Sequence, residues 1–246
     1  MTFKTHLQEK KTIAQGTTAL ILEKPKNFSF LAGQYIDLGL VGQKDLADYD
    51  SFRTLTLASA PQEDQLILVY RNRDSEFKNR VSELPLGSEM IIEGPFGRFI
   101  LPEEDKRVAV FLAGGVGVVP FVSIIKDEIY KRSNKKIYLF YSNFSLEEAA
   151  YLKELQNLEK ENSNFKSIPT FTSSNFSFPP QGGKAKPTNF ETGYISMEMI
   201  EKYIDNTSQV VFYLCGTPDM IFDLRMMLNA AGVPSTNIRT ESFDGY

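Results

Sequence analysis

Three glycines, Gly114, Gly115 and Gly117, close the apolar run VAVFLAGGVGVVP from Val108 to Pro120, and their spacing points most directly to chemistry. The run is continuous in Val, Phe and Leu rather than alternating, so it reads as a buried parallel strand. Glycines without a Cβ then let the backbone turn tightly and approach a ligand closely. A helical pattern resumes at Val118 and runs through Lys126 and Tyr130. The turn therefore ends where unpaired helix N–H groups point outward, a place suited to a pyrophosphate. A turn built only for packing has the same composition, and the spacing is not GxGxxG, so both readings stay open at this point.

Other reactive residue types are sparse. Cys215 is the only cysteine, which excludes an intrachain disulfide framework, a CxxC zinc site and a self-contained iron–sulfur cluster. His6 is the only histidine and lies in a polar start, so it reads as a solvated side chain and no metal site is expected. No GxSxG nucleophile turn is present, and the cysteine has no partner histidine in sight. A net charge of -4 offers no electrostatic footprint for nucleic acid, and no basic helix suits a membrane surface. The start MTFKTHLQEKK lacks a signal-peptide core, and no later run approaches the length of a membrane span. A cytoplasmic protein with small-molecule or protein partners is expected.

Two sets of elements must position these residues. Short strands are expected at Thr18–Glu23, Tyr35–Leu40, Thr54–Ala58, Leu66–Arg71, Met90–Glu93 and Arg98–Leu101, with one helix over Ser75–Leu84. Turn signals at Pro25, Gly33, Ala60-Pro61, Gly87 and Gly94–Gly97 separate them, and six strands so spaced imply an antiparallel six-stranded β-barrel. After PEEDKR at Pro102–Arg107 the rhythm becomes strand, helix, strand. Strands are expected at Val108–Ala113, Lys136–Tyr141, Lys166–Thr172, Val210–Cys215 and Ile238–Phe243, with helices near 119–132, 146–160, 196–204 and 218–231. That alternation predicts an α/β doubly wound five-stranded parallel sheet. The expected domains are 1–104 and 105–246. Ser173–Thr192, polar and rich in Pro and Gly, is long for a connection and reads as a surface loop or a partner surface.

The order of five motifs carries a resemblance. Arg53-Thr54-Leu55-Thr56, GPFG at Gly94–Gly97, GGVGVVP, CGTPDM at Cys215–Met220 and the terminal ESFDGY together resemble the ferredoxin–NADP reductase family over nearly the whole chain. The resemblance implies that residues 1–104 hold a flavin and residues 105–246 a pyridine nucleotide, with no iron–sulfur domain. Arg53 then makes forked bonds to a flavin phosphate, a task its planar guanidinium suits. The Thr56 hydroxyl reaches the flavin N5 region. Leu55 stands where the family usually has Tyr or Phe, so the ring loses an aromatic contact worth about 0.5–1.5 kcal/mol. Tyr70, followed by Arg71, lies on the neighbouring strand where it could partly cover the ring. Ser75 and Lys78, at the start of the short helix, form the expected second phosphate contact, which serves FMN or FAD; the family's habit favours FAD.

In the second half the resemblance assigns Gly114, Gly115, Gly117 and Pro120 to the pyridine-nucleotide turn, the proline opening a helix where its missing N–H costs little. Cys215, Gly216 and Pro218 match the CGPP motif, with Thr217 replacing its first proline; Cys215 seats nicotinamide rather than acting as a nucleophile. Ser142 follows the second strand, where NADPH-using relatives present Ser and Arg to the 2′-phosphate. Phe144 stands in place of that arginine, so NADH is slightly favoured over NADPH. Glu241 and Phe243 lie close to the flavin, with Phe243 able to shield the ring. The implied activity is a flavin-dependent NAD(P)H oxidoreductase. It passes hydride from the nucleotide to FAD, and electrons then go to a separate acceptor protein, ferredoxin-like or other, or to a small molecule. A non-catalytic flavin or nucleotide-binding module, and an electron-transfer subunit of a larger redox complex, remain as alternatives.

Overall fold

The structure is a computed structural model and describes residues 1–41, 52–73, 75–173 and 190–243, apart from the side chain of Ser208. Two compact units divide the chain: Met1–Pro102 with Val119–Tyr130, and Glu103–Val118 with Lys131 onward.

The first unit contains β1 (Thr2–Ala14), β2 (Thr17–Glu23), β3 (Tyr35–Leu40), β4 (Phe52–Thr56), β5 (Gln65–Arg71), α1 (Glu76–Glu83) and β6 (Glu89–Phe96). Its strands form one antiparallel six-stranded sheet in the order β4-β3-β6-β1-β2-β5. The two ends of that order meet through an isolated antiparallel bridge between Leu57 and Leu68, so the sheet closes into a barrel. Inward-facing Leu20, Leu22, Ile36, Leu38, Leu66, Leu68 and Ile92 fill the interior together with Phe77 and Val81 of α1.

Six strands are present, but two of the expected boundaries change the set. β1 is the longest strand among the described residues, and its sequence TFKTHLQEKKTIA buries only Thr5 and Leu7. Its ladders to β2 and β6 hold it, while its side chains carry too weak an alternation to announce a strand. Arg98–Leu101, expected as a strand, is irregular: β6 ends at Phe96, Gly97 adopts φ +94, and Phe99 turns inward onto Phe121 at 5.6 Å between ring centroids.

The second unit contains β7 (Val108–Gly114), a 3-10 turn (Gly115–Val118), β8 (Ile137–Asn143), α3 (Leu152–Glu161), β9 (Phe165–Phe171), β10 (Glu191–Thr192), α4 (Met197–Glu201), β11 (Val210–Gly216), α5 (Pro218–Ala230) and β12 (Ile238–Ser242). The helix α2 (Val119–Tyr130) follows the turn in sequence and groups with the first unit. The sheet is parallel throughout, in the order β10-β9-β8-β7-β11-β12. It has six strands where five were expected, because the two-residue β10 adds to the β9 edge. A strand so short leaves no periodic signal. One face of the sheet, with Val110, Leu112, Phe140, Ile168, Phe212 and Leu214, packs against Met199 and Ile200 of α4 and Ile221, Leu224 and Leu228 of α5. The chain enters at β7, builds outward to β10, then returns on the other side of β7 with β11. The carboxyl ends of β7 and β11 are therefore the switch point at which open α/β sheets bind ligands.

Candidate functional site

In the first unit the site residues gather where β4, the end of β5 and the start of α1 meet. Ser75 caps α1, its hydroxyl accepting a hydrogen bond from the Lys78 backbone N–H at 3.3 Å. The Arg53 guanidinium carbon lies 5.7 Å from the centre of the Phe77 ring, and the Arg53 Nε is buried with no hydrogen-bond partner among the described residues. Lys78 is buried, and burial first, then the charges of Arg53 and Arg73, lower its pKa. Three cations thus crowd the positive end of a helix, an arrangement that an anion relieves.

Beside them lies a cleft of about 520 Å³ lined by Lys10, Thr18, Tyr70, Asn72, Arg73 and Lys78, among others. Tyr70 has its hydroxyl hydrogen-bonded with Thr18, which in turn donates to Asn72 Oδ1 at 2.9 Å; burial raises the Tyr70 pKa. Leu55 is 1% exposed and sits in the barrel core, so its side chain offers no open face to a ring. Thr56, the next residue, is also buried. Arg71 donates to the Gln15 carbonyl and the Thr17 hydroxyl, both at 3.1 Å, and so braces the β1–β2 turn. Arg73, Asn72, Thr18 and Lys10 escaped the sequence reading. The signal for the first two was present in RNRDSE at Arg71–Glu76, where Asn72 and Arg73 lie within three residues of the serine that caps a helix.

In the second unit the register aligns the remaining residues along the carboxyl edge of the sheet. Gly114 pairs with Ser142, Ala113 with Cys215, Cys215 with Glu241 and Gly216 with Ser242. Gly115 opens the 3-10 turn at φ +52, with open space where a Cβ would stand. Gly117 is a packing glycine: a Cβ there would lie 2.3 Å from the Cys215 carbonyl oxygen and 2.8 Å from the Gly216 nitrogen. Pro120 is the second residue of α2 and Pro218 the first of α5, where the Thr217 hydroxyl accepts from the Met220 N–H at 3.4 Å. The Phe243 N–H donates to the Gly216 carbonyl at 3.1 Å, holding the tail against β11.

Electrostatics mark the same edge. Burial pushes the Glu241 carboxyl up to about 7, and its Oε2 is buried without a hydrogen-bond partner among the described residues. Burial, with a smaller push from the Glu241 charge, drives the Cys215 thiol well above its ordinary value, so it is a neutral thiol and not a nucleophile. Asn143, at the tip of β8, is 5% exposed, and neither its Oδ1 nor its Nδ2 has a partner among the described residues. The sequence reading assigned its neighbours Ser142 and Phe144 to the nucleotide site but gave no role to Asn143 itself. Buried polar atoms left unpaired cost about 1–3 kcal/mol each, so an edge that carries them on both β8 and β12 fits a ligand with polar groups. Phe144 is exposed at the end of β8, with Glu147 and Glu148 following it and no Lys or Arg from Tyr141 to Ala150. Among the described residues no group of three or more His, Cys, Asp or Glu is placed to hold a metal ion, and no helix is long and apolar enough to cross a membrane.

The family described as an oxidoreductase NAD-binding domain matches residues 111–225. One component of a Na(+)-translocating NADH-quinone reductase, its F polypeptide, from Pseudoalteromonas atlantica is 29% identical over 230 residues, covering 87% of this chain and 54% of that protein. The reductase component of a propane 2-monooxygenase from Rhodococcus jostii is 24% identical over 221 residues, covering 89% and 57%. The chain spans about half the length of these relatives. Among solved structures, a ferredoxin NADP+ reductase from Neisseria gonorrhoeae with bound FAD and NADP superposes with a TM-score of 0.79 at 21% identity, covering 98% of both chains. A cytochrome P450 reductase from Amycolatopsis superposes with a TM-score of 0.81 at 21% identity, covering 99% of this chain and 70% of that one. Motif order, barrel, parallel sheet and matched NAD-binding domain agree: the chain has the fold of the ferredoxin–NADP reductase-like flavin oxidoreductases, and its residues 111–225 match the oxidoreductase NAD-binding domain.

Proposed function

We propose that the chain is an NAD(P)H-dependent flavin oxidoreductase that binds FAD in the first unit, takes NADH in the second and passes electrons to a separate acceptor. The observation that carries the reading is the cluster of Arg53, Arg73 and Lys78 at the start of α1, where the buried Arg53 Nε lacks a partner. A phosphate supplies that partner and offsets the mutual repulsion of the cations. The adjoining cleft, with the Tyr70 ring and the amide of Asn72, extends beyond a single phosphate and has room for more of the cofactor. When bound, the flavin supplies the chemistry of accepting hydride from nicotinamide and releasing electrons to an acceptor.

The protein's part is to bind, orient and exclude water. Gly115 leaves open space for the nucleotide at the strand ends, Gly114 and Gly216 bring the Met220 side chain against that place, and buried Cys215 keeps a small, uncharged wall there. Glu241 holds a proton near neutral pH beside that wall. The acidic, cation-free segment after β8 favours NADH, since a 2′-phosphate finds no counter-charge among Tyr141–Ala150.

The test is the visible spectrum of the flavin-reconstituted protein under anaerobic conditions. NADH should bleach the flavin band; a band that persists with NADH and with NADPH overturns the reading in favour of a non-catalytic binding module. Several relatives are subunits or reductase components of larger systems. That favours a role as the electron-entry part of a redox complex, for which co-purification with a cluster- or haem-bearing protein is the discriminator.

A further inference from the structure

Met220 is the third residue of α5, and its side chain reaches a place the mechanism above does not use. Helical side chains lean toward the N-terminus of their own helix, which here carries the thioether back over the strand ends. A Cβ added at Gly114 would lie 2.2 Å from Met220 Sδ and 3.1 Å from its Cε, and its three nearest atoms all belong to Met220. A Cβ added at Gly216 would lie 2.9 Å from the same sulfur. The sulfur therefore rests on two glycines from adjacent strands, β7 and β11, at the switch point of the sheet. Gly117 differs, since its missing Cβ makes way for backbone; at Gly114 the vacated space is filled only by a movable side chain.

We propose that Met220 is the gate of the pyridine-nucleotide site: its thioether fills the seat between Gly114 and Gly216 and swings aside when the nucleotide enters. The inference rests on the reading of these glycines as the nucleotide seat. Methionine suits the task because its unbranched side chain repacks over several torsions at little cost. Met220 is partly exposed, which leaves it a way out, and partly packed against the core under α4 and α5, which holds it closed. A nucleotide that must displace it binds with an apparent affinity reduced by the fraction of time the seat is open.

The test is calorimetric titration of the flavin-loaded protein with NAD+, which binds without reducing the flavin. Met220→Ala should tighten binding by at least about threefold, and Met220→Leu, similar in bulk but branched and stiffer, should weaken it by about as much. Unchanged or weaker binding in Met220→Ala overturns the gate. The wild-type protein provides a second readout, independent of whether the variants fold. With methyl-labelled methionine, the Met220 resonance, assigned by its loss in Met220→Leu or by its proximity to α5 protons, should shift on addition of NAD+; a resonance that stays in place while NAD+ binds overturns the gate alone. Wild-type protein that gives neither heat nor shifts with NAD+ or NADP+ overturns the nucleotide reading, and the gate with it.

Discussion

Among the described residues Arg53 has few partners: its guanidinium lies over the Phe77 ring, and its Nε makes no hydrogen bond. Arg53→Ala should therefore leave the melting temperature nearly unchanged while weakening flavin binding by about 2 kcal/mol, roughly thirtyfold, the scale of a charge-assisted hydrogen bond. Fluorescence titration with FAD measures it, and undiminished affinity would remove Arg53 from the flavin site. Glu241 makes the opposite kind of statement, because its burial disfavours the charged form. Between the ordinary carboxylate value of 4.5 and the folded value of about 7, the folded state keeps a proton that the unfolded chain releases. Stability from this residue is complete below that window and declines as pH rises through it, by about 3 kcal/mol in all, then levels off. Urea unfolding at a series of pH values should show this slope in the wild type and lose it in Glu241→Gln.

At the scale of elements, the turn between β7 and α2 separates two roles for glycine that the sequence shows as one string. A side chain at Gly117 meets the backbone of Cys215 and Gly216, which cannot yield without moving β11. Gly117→Ala should cost about 2–3 kcal/mol or more in urea unfolding. At Gly115 the space is open and only φ +52 resists, so Gly115→Ala should cost about 1 kcal/mol and leave the fold intact. Equal losses at the two positions would refute the distinction. The strands show a parallel contrast. β7, β8 and β11 are nearly continuous apolar runs, and the sequence places them within a residue or two. β1 is invisible in the sequence because its outward face is charged and it owes its place to hydrogen bonding with β2 and β6.

At the scale of the whole molecule, the sequence rhythm puts a boundary near residue 104, whereas the contacts place α2 with the barrel. The Ser123 hydroxyl donates to the Ser59 carbonyl at 2.6 Å in a buried bond, Phe121 packs on Phe99, and Lys126 pairs with Glu63 at 3.4 Å. A barrel fragment ending at residue 104 lacks all three. It should melt well below a fragment ending at residue 130, or aggregate, because it exposes Phe99 and strands buried polar groups. Circular dichroism melts of the two fragments decide; equal stability would restore the boundary to residue 104.

Local chemistry alone determined the barrel followed by a parallel sheet, the glycine turn at the end of its first strand, and the order of motifs that carries the family resemblance. Each of these is written in periodicity, in residues that permit special backbone angles, or in short contiguous strings. Only the tertiary structure decided which residues stand together. It brought Arg53 and Arg73 to Lys78, took Leu55 into the core and turned Arg71 to the β1–β2 turn. It also buried Asn143 and Glu241 without partners and set the sulfur of Met220 on Gly114 and Gly216. Burial and charge proximity join residues far apart in the chain, and no local pattern records them.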